Sequence, residues 1–423
     1  MARHRVIIDT DPGVDDVLAL LLALSARAED IEVLLVSVTF GNIDVQSALR
    51  NVIATFHLVG REMAWRKAQG REEGFGALRA CKPLVAVGAD APLADPLVMA
   101  EYFHGIDGLG GVHTSHPHLA PPNGWQARFP QLQVQEATDT LPATTEPAGS
   151  SPPEELYTPS PLPAHRAILD ILAANPPGTI TILALAPQTT LAKAAAADPT
   201  TFMRAKEVVA MAGALGVPGN VTPVAEFNAF ADPVAAARVL ALTARDPART
   251  MPPDVPGGLG PYQAGLKGRL DVVLFPLDIT TPHVLLPTTF SALIAPSVAA
   301  GSPLATWVAA FMVALYKTIA RLEGEGEGLG LHDPLVVGYL LPGVGEGIEV
   351  GPTDVRVETG GQWTRGMTVS DRRPRVREEG GEVVGDEGGW LGGLGNRVRV
   401  AVGSGVVESF GEGMVRRILG IEG

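Results

Sequence analysis

Val6-Ile7-Ile8-Asp9-Thr10-Asp11-Pro12-Gly13-Val14-Asp15-Asp16 runs straight into Val17-Leu18-Ala19-Leu20-Leu21-Leu22. The first apolar run has the length and residue types of a buried strand, and the second begins a helix. Between them a Pro-Gly turn is crowded by four carboxylates. Unit charges about 4 Å apart repel by roughly 1 kcal/mol in water and about 4 kcal/mol at a protein surface, so acids this dense point to a bound cation. A turn at the carboxyl end of a strand is also where an open α/β sheet keeps its sites.

Outward from this stretch the same pattern recurs. Val33–Val38, Leu84–Val87, Ile180–Leu185, Val208–Met211 and Val272–Leu277 read as short buried strands. Val17–Ser25, Val45–Val59, Ala164–Ala174, Pro233–Thr243 and Ala305–Leu322 carry apolar residues at helical spacing. The alternation predicts βαβ units, and so an α/β fold with an open, mainly parallel sheet flanked by helices in one domain over 1–423. Two stretches interrupt it. From about 120 to 163 the chain is rich in Pro, Ser, Thr and Glu and reads as a mobile insertion. From 372 to 395 charges mix with glycines, which reads as the overlong, acidic tip of a hairpin joining Met367-Thr368-Val369 to Val398-Arg399-Val400-Ala401-Val402.

With 423 residues, 46% of them hydrophobic, the chain has material for a large core. A formal net charge of −14 argues against nucleic acid or an anionic membrane as partner and favours a small neutral or cationic ligand. Cys81 is the only cysteine, which excludes an intramolecular disulfide or a multi-cysteine zinc site and suits a reducing compartment. Met1-Ala2-Arg3-His4-Arg5 leads directly into the first strand, without the apolar segment of a signal peptide, and runs such as Val17–Leu24 are too short to span a bilayer. The expectation is a soluble cytoplasmic protein.

Polar groups cluster at other strand and helix ends, in Thr39-Phe40-Gly41-Asn42, Leu183-Ala184-Leu185-Ala186-Pro187, the segment from Asn220 to Asn228 and His332-Asp333-Pro334, and in the glycine-rich segment His104-Gly105-Ile106-Asp107-Gly108-Leu109-Gly110, which follows neither. If they share a crevice, it holds carboxylates and carboxamides, with no Ser-His-acid triad, no cysteine beside a base and no glycine-rich phosphate loop. Such a lining suits a polyhydroxyl ligand, because Asp, Glu and Asn meet hydroxyls at several angles. Plainer roles exist for some of these residues. Asp15 could cap the first turn of its helix and Asn42 could be an ordinary turn residue; Asp232-Pro233 reads as an N-cap with proline at the first helical position, and Asp278 as a strand-end support.

Asp9-Thr10-Asp11-Pro12-Gly13-Val14-Asp15-Asp16, Thr39-Phe40-Gly41-Asn42, Asn220 with Glu226-Phe227-Asn228 and Ala231-Asp232-Pro233, Leu277-Asp278-Ile279-Thr280 and His332-Asp333-Pro334 together resemble, in order, the inosine–uridine preferring nucleoside hydrolases. The insertion and the glycine-rich carboxy-terminal region look like those of fungal members, several of which are uridine nucleosidases. The resemblance implies hydrolysis of the N-glycosidic bond of ribonucleosides, of the uridine or inosine class, to ribose and free base, with one Ca²⁺ activating the water. It implies Asp11, Asp16, Asp333 and the Leu185 carbonyl as metal ligands, Asp11 also as general base, and Asp15, Asn42, His104, Met211, Asn220, Glu226 and Asn228 as substrate-binding residues. Four protein oxygens, the ribose 2′ and 3′ hydroxyls and a water make about seven ligands, a set for Ca²⁺ rather than octahedral Mg²⁺. His332 is a candidate for contacting or protonating the departing base, although a histidine beside a cation should rest neutral and need a relay. His104 and Tyr316 are further candidates for the base, and a homodimer or homotetramer is implied.

The chain departs from the family pattern at Ala186-Pro187-Gln188-Thr189-Thr190, where Gly-Pro-Leu-Thr-Asn is usual, and at Met211-Ala212-Gly213, where Met-Gly-Gly is. Only 5% of residues are aromatic, leaving Phe227, Phe230 and Tyr316 as stacking candidates. Nicotinamide riboside is a runner-up substrate, since its cationic base suits an acidic protein and leaves without a proton. Two rival readings stand beside this one. Asp9-Thr10-Asp11 also fits the Asp-x-Asp site of a haloacid-dehalogenase-like phosphatase, although Pro12 to Asp16 is not that family's continuation. A non-catalytic calcium-dependent ribonucleoside binder is the other.

Overall fold

The computed structural model describes residues 3–133, 156–254, 258–375 and 383–421. In chain order its strands are β1 (His4–Thr10), β2 (Ile31–Val38), β3 (Leu84–Val87), β4 (Thr158–Pro159), β5 (Ile180–Ala184), β6 (Glu207–Met211), β7 (Val272–Phe275), β8 (Val284–Leu285), β9 (Leu329–Gly330), β10 (Glu349–Thr353), β11 (Val355–Val357), β12 (Thr368–Ser370) and β13 (Val398–Gly403). Nine of them form one sheet in the order β10-β13-β7-β6-β5-β1-β2-β3-β4, parallel throughout except for the antiparallel pair β10–β13. The chain walks from β1 outward through β2, β3 and β4, then resumes on the other flank of β1 with β5. A topological switch point therefore lies between β1 and β5, where open α/β sheets form ligand crevices. The register runs the strand ends flush: Asp9 pairs with Ala184, Thr10 with Val38, and Met211 with Phe275.

Burial on both faces explains why β1 is apolar without alternation. Val6 and Ile8 join one core with the helices Val14–Ser25, Val45–Ala68, Pro303–Leu322 and Phe410–Leu419, while Ile7 joins the other with Ala164–Ala174, Thr189–Ala197 and Pro233–Ala241. Leu18, Leu20, Leu21, Leu22 and Leu24 of the first helix are all buried, each contributing about 1.5–3 kcal/mol relative to exposure. That helix is thus fixed rigidly behind the acidic turn. Among the described residues, Pro303–Leu322 alone is long and apolar enough to cross a membrane by length and composition. Its Leu304, Trp307, Phe311, Leu315 and Ile319, at helical spacing, are packed in the core.

The expected hairpin of Met367-Thr368-Val369 with Val398 to Val402 is not formed. β12 pairs with β11, and β13 inserts between β10 and β7 of the main sheet. Arg399 selects that place by donating to Asp271, beside β7, and to Glu207 on β6, both at 2.7 Å, while Val398 and Val400 are buried. The described part of 372–395 is no free tip, since Trp390 lies under the Arg356 guanidinium at 3.7 Å; residues 376–382 lie outside the described residues. The expected insertion, 120–163, is anchored at both ends. Phe129 is fully buried, Tyr157 packs on Phe56, and β4 extends the sheet at β3. Its residues 134–155 lie outside the described residues.

Candidate active site

At the end of β1 the backbone turns back on Asp16, three residues into the helix. Asp16 Oδ1 accepts from Thr10 Oγ1 at 2.6 Å and from the Asp11 N–H at 3.2 Å, while Oδ2 accepts from the Gly13 N–H at 3.2 Å and from Asn42 Nδ2 at 2.9 Å. Asp11 Oδ2 accepts from the Asn42 N–H at 2.6 Å, and Asp11 Oδ1 is buried with no hydrogen-bond partner. Asn42 can come this near because residue 41 is glycine: a Cβ there would lie 1.9 Å from Asp11 Oδ2.

The helix His332–Gly338 brings Asp333 to the same place. Asp15, Asp16 and Asp333 each offer a carboxylate oxygen within 4.8 Å of the others. Burial, then the Asp16 charge, pushes Asp11 well above the usual carboxylate range and Asp15 up to about 8. Asp333 is pushed up by burial and then by the charges of Asp16, Asp15 and Asp11. Acids from opposite ends of the chain thus crowd one buried point, and a cation there would relieve both burial and repulsion. The orphaned Asp11 Oδ1 and a donor set made only of oxygens fit a hard divalent ion. Asp15, expected on the substrate, stands among these acids.

Above the acids opens a cavity of about 440 Å³, within the roughly 300–1,000 Å³ of small-molecule sites. Asp15, Asn42, Leu185, His332 and Asp333 line it, as do His104, Met211, Asn220, Glu226 and Asn228, whereas Asp11 and Asp16 lie beneath. Asn228 Nδ2 donates to the carbonyl oxygens of Leu185 at 2.8 Å and Met211 at 3.1 Å, joining the ends of β5 and β6. Glu226 caps the short helix Phe227–Ala231 through the N–H groups of Asn228 and Ala229, and its Oε2 also accepts from the Gly213 N–H at 2.8 Å. Asn220 Oδ1 accepts from the Phe227 N–H at 2.9 Å. Ala212 is unstrained, because the positive φ of this turn, 87°, falls on Gly213.

Burial favours the neutral form of both cavity histidines. His104 Nδ1 accepts from the Val14 N–H at 3.2 Å, which places its proton on Nε2, and burial pushes it down to about 3. His332 Nδ1 lies 2.8 Å from Thr280 Oγ1, and burial pushes it down to about 4. Burial acts on His332 in the direction expected of a neighbouring cation, toward the neutral ring. Sequence reasoning missed Thr280 as the group that orients the ring, although Thr280 stands in one of the quoted motifs.

Three expectations are corrected. Tyr316 does not line the cavity; its hydroxyl donates to the Leu285 carbonyl at 3.0 Å and its ring packs on Phe290. Phe230 is covered by the Arg365 guanidinium at 3.8 Å. Asp9, the first acid of the Asp-x-Asp in the phosphatase reading, does not line the cavity; it accepts from Ser37 Oγ, and burial pushes it up to about 7. Tyr102, Glu323 and Glu327 line the cavity unforeseen, since exposed Tyr and Glu carry no local signature. Asp232 and Asp278 have the supporting roles expected: Asp232 caps the helix Pro233–Ala241, and Asp278 accepts from the Leu215 and Gly216 N–H groups.

A family model described as "Inosine-uridine preferring nucleoside hydrolase" matches residues 6–403. The chain is 30% identical over 368 residues to "Uncharacterized protein C1683.06c" of Schizosaccharomyces pombe, covering 87% of this chain and 89% of that protein. It is 30% identical over 371 residues to the pyrimidine-specific ribonucleoside hydrolase RihA of Klebsiella pneumoniae, covering 86% and 88%. A solved plant nucleoside hydrolase, PpNRh1, superposes with a TM-score of 0.64 at 21% identity, covering 98% of this chain and 99% of that one. With its sheet, its switch-point cavity and its buried acids, the chain belongs to the inosine–uridine preferring nucleoside hydrolase family, enzymes that cleave the N-glycosidic bond of ribonucleosides.

Proposed function

We propose that the enzyme hydrolyses pyrimidine ribonucleosides, uridine foremost, with Ca²⁺ as its ion. The observation that carries the reading is the cluster of Asp15, Asp16 and Asp333, with Asp11 beside it, at a cavity that carboxamides and two histidines also line. The pyrimidine preference is supported by the name of the Klebsiella pneumoniae relative.

Asp11, Asp16, Asp333 and the Leu185 carbonyl would hold the ion, with Asp15 the further carboxylate in reach. Bound there, a divalent cation makes a water more acidic and draws in the ribose diol. Asp11 takes the proton of the attacking water, its unpartnered Oδ1 being the available acceptor. As the glycosidic bond breaks, positive charge develops on the ribose, and the carboxylates of Asp15, Glu226 and Asp333 stabilise it. Asn42 uses its N–H groups on Asp11 and Asp16 and, lining the cavity, keeps its Oδ1 for a ribose hydroxyl. Asn228 keeps its Oδ1, and Asn220 its Nδ2, for ribose hydroxyls, while Met211 packs against the sugar. His104 offers Nε2–H toward the ligand. His332, oriented by Thr280, contacts the departing base through a neutral ring, and the proton that the base takes up reaches it through a relay. Cytoplasmic location and a homodimer or homotetramer complete the reading; light scattering on the eluting protein tests the assembly.

The deciding experiment is reducing-sugar release from uridine, cytidine, inosine, adenosine, guanosine and nicotinamide riboside, with Ca²⁺ and with chelator. Uridine turnover that chelator abolishes is the expected result. Ligand binding by calorimetry with no sugar release from any of the six would leave only the binder reading.

A further inference from the structure

Asn51 is fully buried in the second turn of the helix Val45–Ala68 and does not line the cavity. Its Nδ2 donates to the Pro12 carbonyl oxygen at 2.8 Å and to the Asp107 carbonyl oxygen at 2.9 Å, and its Oδ1 lies 2.7 Å from His113 Nε2. Two carbonyls require the amide nitrogen on their side, so the orientation of Asn51 is settled and His113 donates from Nε2. The two partners of the nitrogen belong to different parts of the site. Pro12 lies in the acidic turn, and the following N–H, on Gly13, donates to Asp16. The peptide between Pro12 and Gly13 is therefore held at its oxygen by Asn51 and at its nitrogen by a metal-site carboxylate. Asp107 lies in the glycine-rich segment, where its own carboxylate accepts from the N–H groups of Leu109, Gly111 and His113. That segment carries His104, which returns to the acidic turn through the Val14 N–H. Gly108, with φ 75°, sits at the junction; a Cβ there would lie 2.9 Å from Asn51 Nδ2 and 3.1 Å from the Pro12 oxygen.

We propose that Asn51 is a positioning residue that couples the acidic turn to the glycine-rich segment, so that cation binding and the placement of His104 depend on one buried amide. Without it the Pro12 and Asp107 carbonyls lose their shared donor in a dry interior, and the turn and the segment are free to part. The kinetic arm of the test rests on the nucleoside-hydrolase reading; the metal arm rests on the acidic cluster alone.

The test is calorimetric titration of Ca²⁺ into the full chain and into Asn51→Leu, with uridine kinetics on both, on His104→Ala and on the double variant. Asn51→Leu should bind Ca²⁺ about 10- to 100-fold more weakly, as for removal of a group that orients metal ligands. Its KM for uridine should rise, and adding His104→Ala should raise it little further, because the single change has already displaced that ring. A lower melting temperature with Ca²⁺ affinity and KM unchanged would show a purely structural asparagine and overturn the proposal. Where Asn51→Leu does not fold, hydrogen exchange on the unaltered protein decides. Ca²⁺ should slow the amides of Leu109 and Gly111 as well as those of Gly13 and Val14, and slowing confined to Gly13 and Val14 overturns the coupling. Ca²⁺ binding by a chain that releases no sugar from any nucleoside would sink the proposed function and leave the metal arm to decide this one.

Discussion

Asp11 has one carboxylate oxygen on the Asn42 N–H and the other buried without a partner. That second oxygen is the group the proposed chemistry needs, as ligand and as proton acceptor. Asp11→Ala should lower uridine turnover by about 10²- to 10⁴-fold, the usual worth of a general base, with the fold intact by circular dichroism. Activity within tenfold of the unaltered enzyme would remove Asp11 from the mechanism. Thr280→Val takes the hydrogen-bond partner from His332 Nδ1 and should lower kcat more than it changes KM if, as proposed, the ring acts on the departing base. Tyr316→Phe is the contrasting case. It removes a hydrogen bond to the Leu285 carbonyl, costing about 0.5–1.5 kcal/mol of stability, and should leave KM for uridine unchanged.

At the scale of elements, the site depends on how closely the turns after β1 and β2 approach. Gly41 permits it: the missing Cβ would lie 1.9 Å from Asp11 Oδ2. Gly41→Ala must move the carboxylate or the turn, an overpacking cost of about 1–3 kcal/mol, and should weaken Ca²⁺ binding in a calorimetric titration. Elements whose signals are local were legible in the sequence. Leu84–Val87 and Ala164–Ala174 have the expected bounds, and the acidic turn was recognised from its own crowding. Pairing partners set by distant charges were not legible. Nothing near Val398 announces that Arg399 bonds Glu207 and Asp271, so the sequence alone pairs this strand with Met367-Thr368-Val369. The same holds within the site. The sequence suggested Asn42 for the sugar; that its N–H groups also bind two acids is a fact only the approach of the two turns reveals.

Across the whole molecule, the acidic turn after β1 and the helix beginning at His332 are brought together by packing of the helices Val14–Ser25 and His332–Gly338, whose apolar residues share one core. That packing drives Asp11, Asp15, Asp16 and Asp333 against one another in a buried place. The core holds the acids together, and an ion bound only by the folded chain adds stability of RT ln(1 + [ion]/Kd), about 2.7 kcal/mol at a hundredfold excess over Kd. Chelator should therefore lower the melting temperature, Ca²⁺ should restore it as its concentration passes Kd, and Mg²⁺ should restore it less because it tolerates fewer oxygens. The Asp333→Ala variant removes one of the repelling acids, so its ion-free form should melt no lower than that of the unaltered chain while its response to Ca²⁺ disappears. Differential scanning calorimetry of the two proteins, each with chelator, Mg²⁺ and Ca²⁺, reads both effects. Melting temperatures that ignore all three conditions in the unaltered chain would mean that the acids remain together as protonated groups, and that the shared ion is absent from the working enzyme.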